Sequence, residues 1–126
     1  MTEVKRSGDC ENSPKNKLLE DLSVALYTSD VEFLLDRVTD DFQWYIVGKE
    51  VISAKQEFAE AVGKVMSPKP LEMAILHVVT HGRVGAVNGR LGFGGAKTRE
   101  YCDVYEFGNA KGTHVMAISS YMIDSQ

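Results

Sequence analysis

The sequence has 126 residues, of which 44% are hydrophobic and 25% charged, and its formal net charge is −4. This length and balance predict one globular domain. The acidic balance, without a run of Lys or Arg, argues against nucleic acid or an anionic membrane as a partner, because both are bound mainly through clustered basic residues. No apolar run approaches the roughly 20 residues of a membrane-spanning helix.

Residues 1–12 are polar and without periodicity, which predicts a flexible N-terminal tail ahead of a single domain at 13–126. The tail lacks the apolar core of a signal peptide, so we expect a cytoplasmic protein. Cys10 and Cys102 have no CxxC spacing and indicate no metal site, and a reducing compartment gives no reason to expect a disulfide.

Two helices are predicted at the start of the domain. Ser13 and Pro14 form a typical helix start, with serine as the cap and proline in the first turn. The helix should run to about Thr28, and its apolar stripe consists of Leu18, Leu19, Leu22, Ala25 and Leu26. Asp30 is placed to cap a second, shorter helix.

One strand and a third helix follow. Residues 42–47 are typical of a strand, which ends at Gly48 and whose alternation places on one side Phe42, Trp44 and Ile46. Residues 55–65 have the apolar spacing of an amphipathic helix. Pro68 ends this helix, because proline cannot continue it.

The rest of the chain predicts four strands joined by short turns rich in glycine, at residues 71–80, 84–93, 97–107 and 113–123. Helices that precede a run of antiparallel strands are typical of an α+β domain. We expect the sheet to curve around the three helices and to leave a concave cavity, where a small-molecule site would lie.

Residues 99–107 carry the strongest functional signal, because they alternate strictly. One face carries Arg99, Tyr101, Asp103, Tyr105 and Phe107. A lone carboxylate among aromatic rings is costly to bury without a partner. Either this face lines a wet cavity, with Asp103 as its acid and two tyrosines as walls, or Asp103 is a structural hydrogen-bonding residue.

Other candidate pocket residues have similar alternatives. Trp44 is either a wall that stacks on a flat ligand or a core aromatic whose indole N–H has one acceptor. His77 is either a general base or a hydrogen-bonded core histidine. Asn88 and Ser120 are small polar residues expected to face the cavity. His77 and His81 would lie about 13 Å apart on a strand, too far for one metal ion, so no metal site is predicted.

The opposite face of the last strands predicts an interface. It carries Cys102, Val104, Ala117, Ser119 and Tyr121. These residues are too small and apolar for a sheet face left in water, and exposed apolar patches usually mark contact sites. We therefore expect a two-fold symmetric homodimer through this outer face.

Several segments resemble the NTF2-like superfamily, and most closely its SnoaL-like and ketosteroid-isomerase-like branch. They are DFQWYIVG at 41–48, VNGR at 87–90, YCDVYEF at 101–107 and the closing SSYMID. The likeness extends over about residues 15–124. It implies a cone in which a curved, mainly antiparallel sheet wraps around three helices in the order helix-helix-strand-helix-four strands, and it also implies dimers that pack sheet to sheet.

The resemblance implies little about a known chemistry. The general base of ketosteroid isomerases falls at Trp44 or Tyr45, neither of which accepts a proton near neutral pH. Their oxyanion tyrosine falls near Leu22, and Tyr27 is not expected to replace it. Only the oxyanion-hole acid has a match, at Asp103, and in such a site apolar surroundings keep the acid protonated.

Relatives of limonene epoxide hydrolase are matched no better, since their final-strand aspartate falls at Ser120. The prediction is therefore a SnoaL-like protein that binds a small, mostly apolar or cyclic ligand, with a possible isomerase, cyclase or lyase activity through Asp103 as acid or base. The pocket would be lined by Trp44, His77, Asn88, Tyr101, Tyr105 and Ser120. The alternative is a non-catalytic dimeric interaction module whose cavity is filled by side chains. No cofactor is predicted, because the glycines at 92–95 lie between strands and not at a helix start.

Overall fold

The computed structural model describes residues 1–10 and 12–125. Three helices and seven strands follow one another along the chain, namely β1 (Glu3–Lys5), α1 (Pro14–Thr28), α2 (Val31–Leu35), β2 (Val38–Ile46), β3 (Glu50–Ser53), α3 (Lys55–Val65), β4 (Glu72–His81), β5 (Val84–Gly92), β6 (Thr98–Phe107) and β7 (Val115–Ser125). None of the described helices has the length and apolar character needed to cross a membrane.

All seven strands belong to one sheet in the order β1-β4-β5-β6-β7-β2-β3. Strands β4 to β7 form the predicted antiparallel meander. Strand β2 adds to β7 in parallel, and β3 pairs antiparallel with β2. The sheet is curved and open, and it wraps around the helices, which confirms the predicted α+β cone.

The helix boundaries follow the predicted capping signals. The Ser13 side chain accepts a hydrogen bond from the backbone N–H of Asn16, and Pro14 lies in the first turn of α1. Asp30 caps α2 by accepting from the N–H of Phe33. Helix α3 has the predicted bounds, and its buried residues are Phe58 and Val62. Side-chain hydrogen bonds at the first turn therefore set where α1 and α2 begin, whereas Ala54 before α3 provides no such cap.

The N-terminal segment differs from the predicted flexible tail. Residues Glu3–Lys5 form β1, which pairs in parallel with β4. The buried carboxylate of Glu20 on α1 holds the next residues, because it accepts hydrogen bonds from Arg6 (3.1 Å), Ser7 (2.6 Å) and Cys10 (3.3 Å). These polar contacts have no periodicity, which is why the sequence pattern missed them. Glu11 of the predicted tail and Gln126 of the predicted domain lie outside the described residues.

Strand β3 was also missed, and β2 begins four residues before the predicted strand start at Phe42. Strand β3 is short and mostly exposed, and only its Ile52 is buried. It pairs with β2 across the short turn at 47–49. Its two apolar residues, Val51 and Ile52, are adjacent, so it lacks the alternation that predicts a strand.

Candidate functional site

The concave face of β6 carries the residues predicted for it. Tyr101, Asp103, Tyr105 and Phe107 are at most 3% exposed, while Arg99 at the start of the strand is half-buried. In the register with β7, Asp103 lies opposite Ser120, and Tyr105 lies opposite Ile118. Because side chains alternate across a strand, this register directs Asp103 and Ser120 together into the cone.

Asp103 is held in the cone by side chains from two other elements. The Tyr27 hydroxyl on α1 donates to the carboxylate and lies 3.1 Å from Oδ1 and 2.9 Å from Oδ2. Ser120 lies directly opposite Asp103 on β7, and this second polar side chain also favours the charged carboxyl group. Ser120 accepts a hydrogen bond from the indole N–H of Trp44 on β2 at 2.9 Å. The buried polar side chains of Trp44, Ser120 and Asp103 thus follow one another across three strands.

Burial sets the protonation of this acid. Complete removal from water raises the pKa of Asp103 to about 7, although the hydrogen bonds from Ser120 and Tyr27 lower it in part. Burial, followed by the nearby Asp103 charge, raises the pKa of Tyr27 well above its usual value. Near neutral pH the carboxyl group therefore exchanges between an acid that donates a hydrogen bond and a carboxylate that accepts a proton.

Aromatic rings enclose the acid. The rings of Tyr27 and Tyr101 are 4.4 Å apart, and the Tyr101 hydroxyl lies 3.2 Å from the Ser23 hydroxyl on α1. Gly89 makes room for Tyr101, because a Cβ at that position would lie 2.6 Å from the Tyr101 hydroxyl oxygen. The Tyr105 hydroxyl is buried and has no hydrogen-bond partner among the described residues.

The structure brings together five of the predicted site residues, namely Trp44, Tyr101, Asp103, Tyr105 and Ser120. His77 and Asn88 do not join them, and their predicted place in the pocket is wrong. A bulge between Ile75 and His77 turns His77 to the outer face, where its side chain is 74% exposed. Asn88 pairs with His77 and Cys102 on that same outer face.

Tyr27 is the residue that sequence reasoning missed. Ser23 and Tyr27 are four residues apart on α1 and both are wholly buried, beside the predicted apolar stripe. This spacing was the available signal, because residues i and i+4 share one face of a helix. The hydroxyl of Tyr27 thus reaches Asp103 from α1.

The interior of the cone is filled by side chains. The main concavities of the described residues lie elsewhere, and none is lined by Asp103. Exposure falls along the inner face of β7, from the exposed Asp124 through the half-buried Met122 to the buried Ser120. The cone is therefore open at the Arg99 and Asp124 end and closed towards Phe107. No three His, Cys, Asp or Glu side chains of the described residues group as metal ligands.

No family model matches the sequence, and no curated protein does. Solved structures do match. An NTF2-like protein of unknown function from Cytophaga hutchinsonii aligns with a TM-score of 0.71 and 18% identity, over 86% of this chain and 99% of that chain. This chain has the NTF2-like fold.

Two further NTF2-like neighbours carry names of enzymes. An LEH-like epoxide hydrolase from M. tuberculosis has a TM-score of 0.67 and 18% identity, over 90% of this chain and 85% of that chain. A putative ketosteroid isomerase from Kribbella flavida has a TM-score of 0.72 and 11% identity, over 89% and 79% of the two chains. The NTF2-like fold thus hosts different activities, and identities this low show the fold alone.

Proposed function

We propose that this chain is a small-molecule-binding protein of the NTF2-like fold, with Asp103 at the centre of its ligand site. One observation carries the proposal. A wholly buried carboxyl group, held by the side chains of Tyr27 and Ser120, sits in an otherwise aromatic and aliphatic interior. Such a group is expensive to bury for stability alone, and perturbed carboxyl groups concentrate at functional sites.

The chemistry of this centre favours a ligand with a carbonyl or hydroxyl group on an apolar, cyclic body. Protonated Asp103 donates a hydrogen bond to a carbonyl oxygen, as acids in apolar sites do. The hydroxyl of Tyr105 lies two residues further along the same face of β6 and has no hydrogen-bond partner among the described residues. It supplies a second polar group for the ligand. The aromatic side chains of Tyr27, Trp44 and Tyr101 supply flat apolar surface.

Asp103 also has the pKa that proton transfer near neutral pH requires. As a carboxylate it would take a proton from the carbon beside a ligand carbonyl, and as an acid it would return that proton to another carbon of the same ligand. This balanced step is an isomerisation, and cyclase or lyase steps need the same group. We extend the proposal to such an activity, with Asp103 as the single acid or base.

A second copy of the chain is the proposed partner, through the outer face of β4 to β7. Val79, Tyr121 and Ile123 are 59%, 49% and 71% exposed there. They surround a shallow concavity of about 330 Å³ that also includes Cys102. The nearby charges of Arg90 and Glu100 pair with each other, so two copies of this face would meet without a net like-charge clash.

The alternative function is a non-catalytic dimeric interaction module. The filled cone favours it, because the side chains of Tyr27, Trp44 and Tyr105 occupy the space that a ligand would need. In that case Asp103 is a structural residue that links α1 to β6 and β7.

A thermal-shift screen separates these functions. Small cyclic ketones, sterols and aromatic acids would be tested on the wild type, on Asp103→Asn and on Glu20→Gln. A compound that raises the melting temperature of the wild type, and does so much less in Asp103→Asn, supports the ligand site, because a ligand stabilises only the state that binds it. Glu20→Gln is the matched control, because it also converts a buried carboxyl group of the fold to an amide, but on the side of α1 that faces the N-terminal segment. If no compound shifts any protein, and Asp103→Asn by itself lowers stability, the interaction module is correct.

A further inference from the structure

The open end of the cone contains a cleft of about 240 Å³ between β6, β7 and the loops before β4 and β6. We call it the mouth cleft, and its lining includes Pro68, Phe93, Lys97, Thr98, Arg99 and Asp124. Two cationic side chains and one carboxylate meet there. The lining of the cleft therefore carries one positive charge in excess, on a chain whose net charge is −4.

Arg99 lies at the inner wall of this cleft. Its guanidinium stands 5.6 Å from the centre of the Phe93 ring and forms a two-point ion pair with Asp124, in which Nη2 and Oδ2 are 3.3 Å apart. The Arg99 side chain is 23% exposed, whereas that of Asp124 is 66% exposed. Asp124 is thus the solvated member of the pair, and because exposed ion pairs contribute little to stability, another carboxylate can take its place on Arg99 at small cost.

The mouth cleft is continuous with the Asp103 site along one strand face. Arg99, Tyr101 and Asp103 are successive inward residues of β6, and their partners on β7 are Asp124, Met122 and Ser120. One cross-strand pair, Tyr101 with Met122, therefore stands between the cleft and Asp103. Met122 is half-buried and unbranched, so its side chain can rearrange around a ligand more readily than an aromatic ring.

We propose that the ligand is an amphipathic carboxylic acid whose carboxylate replaces that of Asp124 on Arg99, while its carbonyl or hydroxyl group reaches Asp103. The inference rests on the proposed ligand site, and it names the ligand class. The two recognition residues are four residues apart on one strand, about 13 Å between Cα atoms. A single six-membered ring is too short to reach both, so the ligand has an extended apolar body.

The test uses a naphthalene that carries an acetyl ketone at one end and a carboxylate at the other, its methyl ester, and acetylnaphthalene without the acid. Affinities for the wild type would be measured by calorimetry. We expect the acid to bind about tenfold more tightly than the ester, the ratio typical of a charge-assisted hydrogen-bonded pair. Arg99→Gln should remove that preference, so that acid and ester bind with similar affinities. Asp124→Asn should strengthen acid binding, because it removes the competing carboxylate.

Arg90→Gln is the matched control. It also removes one arginine and one ion pair, with Glu100, but on the outer face of the neighbouring strand. It should leave the preference for the acid intact, and unliganded melting temperatures would confirm that all variants fold. Equal affinities for acid and ester, or a preference that survives Arg99→Gln, overturn the inference.

The outcomes also separate this inference from the proposed function. If ester and parent ketone bind, lose affinity in Asp103→Asn and are not surpassed by the acid, the Asp103 site stands and the carboxylate class is wrong. If the affinity for the acid depends on Arg99 but not on Asp103, the mouth cleft binds anions on its own, and the inference that one ligand spans both residues is wrong. If none of the three probes binds the wild type, both the inference and the ligand site fail for this class.

Discussion

The hydroxyl of Tyr27 lies within 3.1 Å of both carboxylate oxygens of Asp103, although the two residues are 76 positions apart in the chain. The contact joins α1 to the middle of β6 inside the cone. It places a hydrogen-bond donor on the carboxyl group, which lowers the pKa of Asp103 against the effect of burial.

Tyr27→Phe should destabilise the protein by roughly 1–3 kcal/mol, because Asp103 loses a buried hydrogen bond while the ring still fills its space. The same change should raise the pKa of Asp103, since the lost donor favoured the charged form. Urea unfolding gives the first quantity, and an NMR titration of the Asp103 carboxyl carbon gives the second. An unchanged pKa would show that Tyr27 does not bond the carboxylate in solution.

Tyr105→Phe, unlike Tyr27→Phe, should not destabilise the protein. Its hydroxyl is buried without a partner among the described residues, so removing it discards a desolvated polar group and no hydrogen bond. We expect stability to stay the same or to rise by about 1 kcal/mol. The same urea experiment compares it with Tyr27→Phe, which removes the same atom from a ring of the same size. A loss above about 1 kcal/mol would mean that the hydroxyl has a partner.

Stability should depend on pH through Asp103. Its folded pKa of about 7 lies above the 3.8 that is usual for an aspartate in water, so between these values the folded state holds a proton that the unfolded state has released. The contribution of the protonated Asp103 to the unfolding free energy is complete below pH 3.8. It is lost as the pH rises through 7, at up to about 1.4 kcal/mol per pH unit in between.

The difference between wild type and Asp103→Asn isolates this effect. The pKa of Asp124 and that of Glu20 are lowered, so these carboxyl groups act in the opposite direction, but they are common to both proteins. The unfolding free energies of the two proteins would be measured from pH 4 to pH 8. The difference between them should change with pH. A constant difference would show that Asp103 is ionised throughout.

Gly89→Ala should be strongly destabilising. A Cβ there would lie 2.3 Å from the backbone oxygen of Ala74 and 2.6 Å from the Tyr101 hydroxyl, so the strand or the ring must shift. We expect a loss of about 1–3 kcal/mol, as in other overpacked cores. Gly63→Ala in α3 is the matched control, because a Cβ there has no neighbour within 4 Å. It should gain up to about 1 kcal/mol of helix propensity. Thermal melts of both variants test the pair.

Ile123→Glu should convert a dimer to a monomer without unfolding it. Ile123 is the most exposed apolar residue of the outer face, and two copies would bury like charges against each other. Val47→Glu, in the turn between β2 and β3, is a control with a similar change outside that face. Sedimentation analysis gives the association state. A wild type that is monomeric at high micromolar concentration would contradict the proposed interface.

Local sequence pattern predicts the place of some residues in the fold and not that of others. Ser13, Asp30 and the alternation of β6 were predicted, because caps and strand faces depend on neighbours within a few positions. His77 was misplaced by a single bulge, which shifts every later residue of β4 to the other face. Tyr27 was not expected in the site because it lies more than a turn of helix from Leu22, where the family's tyrosine falls, and its contact with Asp103 depends on how α1 packs on the sheet.

The sequence by itself thus determined the order of the three helices and of the strands β2 and β4 to β7, the inward face of β6 and the isolated carboxyl group on it, since these follow from periodicity, capping and turn residues. Only the tertiary structure decided that β2 adds to β7 in parallel, that Asn88 faces outward and that Tyr27 meets Asp103. The reason is that strand pairing and helix packing join residues distant in the chain, and burial in that packed interior is what moves the pKa of Asp103 towards neutrality.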